Sequence, residues 1–103
     1  MKPRFDALTW YVMDATADDW ESIAQVIPDV EQWLGPQDPD QIQKIILGLF
    51  DEGLFELMPL EGITSETLKT DLKRCWFSMT PEGRRLWDID GIHYREEQAE
   101  PAG

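Results

Sequence analysis

The chain has 103 residues, 42% of them hydrophobic, which suits one domain with a core of its own. Its formal net charge is -12, a field that repels phosphate. The single cysteine, Cys75, rules out an intrachain disulfide and a cysteine cluster for zinc, and no apolar run reaches the roughly 18 residues of a membrane span.

The first helix is expected over Arg4 to Asp14, with Phe5, Leu8 and Val12 on one face and Trp10, Tyr11 and Met13 widening it. So apolar a helix is either wrapped by the domain or shared with a second subunit. Thr16 is the expected cap of the next helix, with Asp18 and Asp19 near the positive end of its dipole. Trp20, Ile23, Ala24 and Ile27 form its inward stripe, and Pro28 ends or kinks it. "DVEQWLG" then adds one or two turns before Gly35-Pro36 stops them.

The strongest helix start is Asp38-Pro39-Asp40-Gln41, a cap, a first-position proline and a capping-box partner. Ile42, Ile45, Ile46, Leu49 and Phe50 keep helical spacing, and Gly53 closes the element. Leu54 to Met58 reads as a strand that pairs antiparallel with "RCWFSM", Arg74 to Met79. Pro59 to Thr64 is a loop, and "SETLKTDLK" after it is a short helix or an irregular arm. Thr80-Pro81-Glu82 opens a last helix anchored by Leu86 and Trp87. One domain over 1–92 is expected, with a polar, flexible tail over 93–103.

Charge is unevenly spread. Residues 1–62 hold 3 basic and 13 acidic side chains, whereas residues 63–87 hold 5 basic and 3 acidic ones. Catalysis finds little support. His93 is the sole histidine and lies beyond the expected core, and Cys75 falls in a strand, where a buried structural thiol is the ordinary case. Neighbouring acids such as Asp18-Asp19 and Asp51-Glu52 do not converge on one point of a helix. No glycine-rich phosphate loop or calcium loop is present. A non-enzymatic protein without cofactor or metal is expected, in the cytoplasm.

Two segments, "LGLFDEGLFEL" and "FSMTPEGRRLW", resemble the winged helix-turn-helix superfamily, in the style of the MarR-like and PadR-like regulators. The first is similar to the end of a third helix entering a wing strand. The second is similar to the exit from the other wing strand into a closing helix. "DDWESIAQVI" resembles the second helix. The resemblance covers about residues 5 to 88. It implies a mainly α fold with a small antiparallel β-hairpin (α+β): a three-helix core, a wing and a C-terminal helix. The interval Pro28 to Gln37 is longer than the 3–4 residues that usually join the paired helices.

Two functions follow as expectations. The first is an adaptor that binds protein, or itself, through aromatic and acidic surfaces. Five tryptophans exceed what a core of this size needs, and Trp10, Trp33 and Trp87 are the candidate interface residues. The second is a dimeric DNA-binding regulator using the helix at 39–52 and the wing at 59–73. Gln41, Gln43 and Lys44 would read bases, and Lys69, Lys73 and Arg74 would hold phosphates.

Overall fold

The computed structural model describes residues 2–98, with side chains described through Arg95. The elements in order are α1 (Ala7–Asp14), α2 (Ile23–Leu34), α3 (Pro39–Asp51), β1 (Phe55–Leu57), α4 (Ser65–Thr70), a 3-10 turn (Leu72–Arg74), β2 (Phe77–Met79) and α5 (Pro81–Gln98). The protein is thus mainly helical, with one two-stranded antiparallel sheet.

Helix α1 starts at Ala7 rather than Arg4. Asp6 caps it, its carboxylate accepting from the Thr9 N–H at 2.8 Å. The amides before it are claimed elsewhere: the buried Asp90 carboxylate accepts from Arg4 N–H at 3.0 Å and Phe5 N–H at 2.7 Å. Of the two readings for this helix, wrapping by the domain is the one observed, since Trp10, Tyr11, Val12 and Met13 are all buried within the chain.

Helix α2 starts at Ile23, not after Thr16. Thr16 is buried, donates to Met13 O at 2.8 Å and accepts the Ser78 hydroxyl on its own carbonyl at 3.3 Å. The chain then bends through residues 17–19, and Glu21 exchanges backbone hydrogen bonds with Phe77 at 3.0 and 2.9 Å. Only after that bridge does Ser22 cap the helix, with the Gln25 amide oxygen accepting the Ser22 N–H at 3.0 Å. Asp18, Asp19 and Trp20 therefore lie in the connection. The later start moves the inward stripe to Ile23, Val26 and Val30, and leaves Ala24 exposed.

Pro28 sits inside α2 without ending it. An interior proline costs about 3 kcal/mol in an isolated helix, chiefly through a lost hydrogen bond and a ring clash. Here Ala24 and Pro28 are both exposed, so the carbonyl left without a donor faces water, while Val26 and Val30 anchor the helix on either side. The helix continues to Leu34 and stops at Gly35, whose φ of 80° suits glycine. The connection to α3 is therefore the short stretch 35–38, and the long interval expected from Pro28 to Gln37 does not exist.

Helix α3 has the expected cap and first-position proline. Asp38 accepts from Asp40 N–H at 3.0 Å, and Ile42, Ile46 and Leu49 are buried. The sheet pairs Phe55 with Met79, Glu56 with Ser78 and Leu57 with Phe77. Phe55 and Phe77 stack at 5.2 Å, and Phe50 meets both edge-on at 5.8 Å. Between the strands, "SETLKTDLK" is the short helix α4 followed by the 3-10 turn. Leu68 and Leu72 are buried, so this segment is docked on the domain rather than projecting from it.

The Thr-Pro-Glu-Gly start of α5 has a geometric reason. The Thr80 hydroxyl donates to Gly53 O at 2.7 Å and accepts the Gly83 N–H at 3.0 Å. This draws the helix so close that a Cβ on Gly83 would stand 2.1 Å from Leu54 O. Helix α5 then runs past Ile92 to Gln98, so 93–98 is helical rather than the expected tail; 99–103 lies outside the described residues. Tyr94 is buried, and its hydroxyl donates to Phe5 O at 2.5 Å. Asp90 and Tyr94 together fix the N-terminal segment to α5.

A candidate interaction groove beside α2

Helix α2 contributes a wall to two grooves. The first, about 610 Å³, lies among the α1–α2 connection, α2 and α5. Asp14, Asp18, Glu21 and Asp29 give it a negative lining, with Trp33 and Trp87 as its aromatic surfaces. The positions on α2 follow helical spacing: Gln25, Asp29, Gln32 and Trp33 form one outward stripe. Trp33 is 41% exposed, yet it is not loose, because its ring stacks on buried Tyr11 at 6.1 Å. Trp87 is held by its Nε1, which donates to Asp14 Oδ1 at 3.1 Å, and its ring stacks on Trp10 at 6.1 Å.

Guanidinium groups already border this groove. Arg84 donates through Nη1 to Ala17 O at 3.1 Å and lies 5.9 Å from the Trp87 ring centroid. Arg95 lies 4.3 Å from the same centroid and pairs with Asp88 at 3.0 Å. Among the described residues, none of Asp18, Glu21 and Asp29 carries an ion pair. Desolvation, then Asp19 and Asp29, pushes the Glu21 carboxyl above its ordinary range. Desolvation, then Asp14 and Asp18, does the same for Asp29. The acids do not converge as metal ligands would; no group of three or more suited to a metal ion occurs among the described residues.

The second groove, about 580 Å³, lies on the other side of α2, against the start of α3 and the segment 69–73. Ile23, Ile27 and Leu72 supply an apolar floor, and Gln43, Lys69 and Lys73 stand at its edge with Asp40 and Asp71. Lys44 lines an adjacent depression of about 280 Å³ with Asp40, Gln43 and Leu47. Of the six candidate DNA contacts, Gln43, Lys69 and Lys73 thus share one groove and Lys44 adjoins it. Gln41 and Arg74 are exposed and line neither.

The three candidate interface tryptophans have different fates. Trp10 is fully buried, its Nε1 donating to Trp87 O at 2.9 Å, so it offers no surface to a partner. Trp87 is half-buried and Trp33 exposed, and both line the first groove. The acids of that groove were not among the candidate residues. The α2 part of the groove is a readable signal, because Gln25, Asp29 and Trp33 recur every four residues. Elsewhere, Cys75 is fully buried, and burial followed by the Asp71 charge pushes its thiol up, against a smaller opposing pull from Arg74. No buried side-chain nitrogen or oxygen lacks a hydrogen-bond partner among the described residues.

No protein-family model matches the chain, and no curated protein matches it in sequence. Among the described residues, no helix is long and apolar enough to cross a membrane.

Proposed function

We propose that this chain is a non-enzymatic, cytoplasmic adaptor of winged-helix type, docking protein partners in the groove among the α1–α2 connection, α2 and α5. The observation that carries the reading is Trp33: an exposed indole, braced from below by Tyr11, in a groove that Trp87 also lines. Large rigid aromatics with fixed backing are the residues that anchor protein contacts at low entropic cost. The lone buried cysteine supports the compartment. The short α2–α3 connection, the antiparallel strand pair and the closing helix support the fold type.

Photo-crosslinking in cells tests this. A photoreactive residue at Gln32, beside Trp33, is expected to give a discrete adduct that Trp33→Ala removes. The same probe at Asp51, outside the groove, is expected to give none. Equal adducts from both positions would sink the reading.

A dimeric DNA-binding regulator is the second reading. It is favoured by the short connection 35–38, which matches the usual helix-turn-helix junction, and by Gln43, Lys69 and Lys73 meeting around one groove. Asp40 and Asp71 in that groove oppose it, as does the overall charge. Fluorescence anisotropy over a salt series decides. If Lys44, Lys69 and Lys73 each neutralise a phosphate, log affinity falls against log salt with a slope of about -3. Absence of binding at about 50 mM salt removes this reading.

A further inference from the structure

The adaptor reading leaves open what kind of segment the groove accepts, and three features of the groove bear on it. Its lining is negative along its length, from Asp18 and Glu21 in the connection to Asp29 in the middle of α2. Its size, about 610 Å³, is in the range that takes a substantial piece of ligand rather than one ion. Of its aromatic surfaces, Trp87 is already approached by two guanidinium groups of the chain itself, at 4.3 and 5.9 Å. The Trp33 indole, exposed on the outward face of α2, is not among the rings that these arginines approach.

Resting on the adaptor reading, we propose that the groove docks a basic, arginine-bearing segment of a partner protein. The guanidinium plane lies on Trp33 and its N–H groups reach the Asp29 carboxylate, one helical turn away. Arginine suits the site better than lysine. Its planar group stacks on an indole and offers five donors to more than one carboxylate, whereas an ammonium is a compact, strongly hydrated charge. A second arginine of the same segment faces Glu21 and Asp18 at the other end of the groove. Asp14 has a different part, since it holds Trp87 through the indole N–H. The occupant also relieves the groove. The upward shifts of Glu21 and Asp29 come first from desolvation and then from neighbouring carboxylates, and a bound cation offsets the second of these.

The test is titration calorimetry of the full chain with four probes. These are a short peptide with two arginines separated by glycine, the same peptide with lysines, the same with glutamates, and spermine. The arginine peptide is expected to bind at least fivefold more tightly than the lysine peptide, and the glutamate peptide is expected not to bind. Glu21→Gln/Asp29→Asn is expected to weaken the arginine peptide at least tenfold. Asp51→Asn/Glu52→Gln changes net charge equally at a site outside the groove and is expected to weaken it less than twofold. Trp33→Ala is expected to erase the preference for arginine over lysine. Both double variants remove exposed or half-buried charge, and a thermal melt of each confirms the fold.

Equal weakening by the two double variants would overturn the inference in favour of diffuse attraction to an acidic protein. Spermine binding as tightly as the arginine peptide would overturn the assignment to a protein segment. If the Gln32 crosslink forms and depends on Trp33 while no basic peptide binds, the adaptor reading stands and this inference falls.

Discussion

The two grooves on either side of α2 are built from different materials. The acidic one is framed by aromatic rings that polar contacts lock in place. Trp10 donates to Trp87 O, Trp87 donates to Asp14, Tyr94 donates to Phe5 O, and Asp90 accepts two backbone amides from the N-terminal segment. The mixed-charge groove has for one wall the six-residue α4 and a 3-10 turn, fastened chiefly by Leu68 and Leu72. A surface meant to recognise something by shape needs walls whose rotamers are fixed before the partner arrives. The acidic groove meets that condition. The other side has the composition of an edge that opens easily, with exposed lysines and few buried apolar side chains.

Breaking the better-built frame is expected to have the larger effect. Asp90→Ala leaves the Arg4 and Phe5 amides without their acceptor in a buried setting. Losing hydrogen bonds to a buried carboxylate, with one donor stranded, destabilises by about 3 kcal/mol. Urea unfolding measures this, and the Trp10 indole N–H, which lies between α1 and α5, is expected to exchange faster in the variant. A loss below about 1 kcal/mol would mean that aromatic packing holds this end without the polar clamp.

The other side gives a smaller and more local response. Leu68→Ala removes one of the apolar anchors of α4 and is expected to destabilise by about 2 kcal/mol. Its distinguishing mark is location: amides of 65–74 lose protection in hydrogen exchange while the Trp10 indole keeps its own. If both regions lose protection together, the two grooves belong to one cooperative unit and the contrast between them is wrong.

The parts that could be read from the sequence were those settled by neighbours along the chain. Helix α3 is one: Asp38, Pro39 and the isoleucine stripe carry their own start and face. The strand pairing is another, since the β-formers around Phe55 and Phe77 are two short runs on either side of one connection. The misread parts were settled by distant contacts. Thr16 is the expected cap and Ser22 the actual one, because Glu21 first bridges to Phe77 in the sheet. Pro28 is a local stop signal that packing of Val26 and Val30 overrides. Tyr94 falls in the expected polar tail because its partner, Phe5, lies at the opposite end of the chain, and the role of Asp90 goes unread for the same reason. The same cause hid most of the groove. The α2 stripe has a period, but nothing local brings Asp18 and Trp87 to the same opening.

The smallest expected effect is the one that speaks most directly to the groove. Asp29→Asn removes a partly exposed carboxylate whose charge is disfavoured first by desolvation and then by Asp14 and Asp18. Because the folded protein raises this carboxyl above its unfolded value, the folded state binds its proton more tightly. A group of that kind contributes its full stability below its unfolded pKa, about 3.9 for an aspartate, and loses it as pH rises through the higher folded value. At neutral pH the wild-type groove therefore carries an unrelieved charge, and Asn is expected to stabilise the fold by no more than about 0.5 kcal/mol. The gain shrinks as pH falls towards 4, where Asp29 itself becomes neutral. Thermal melts of the two proteins across this range show it, and at pH 7 added salt narrows the gap by screening the same repulsion. A variant less stable than wild type at pH 7 would mean that the Asp29 carboxylate is satisfied in the free protein. The acidic groove would then hold no repulsion for a basic partner to relieve, and its sign would be only part of the general acidity of the surface.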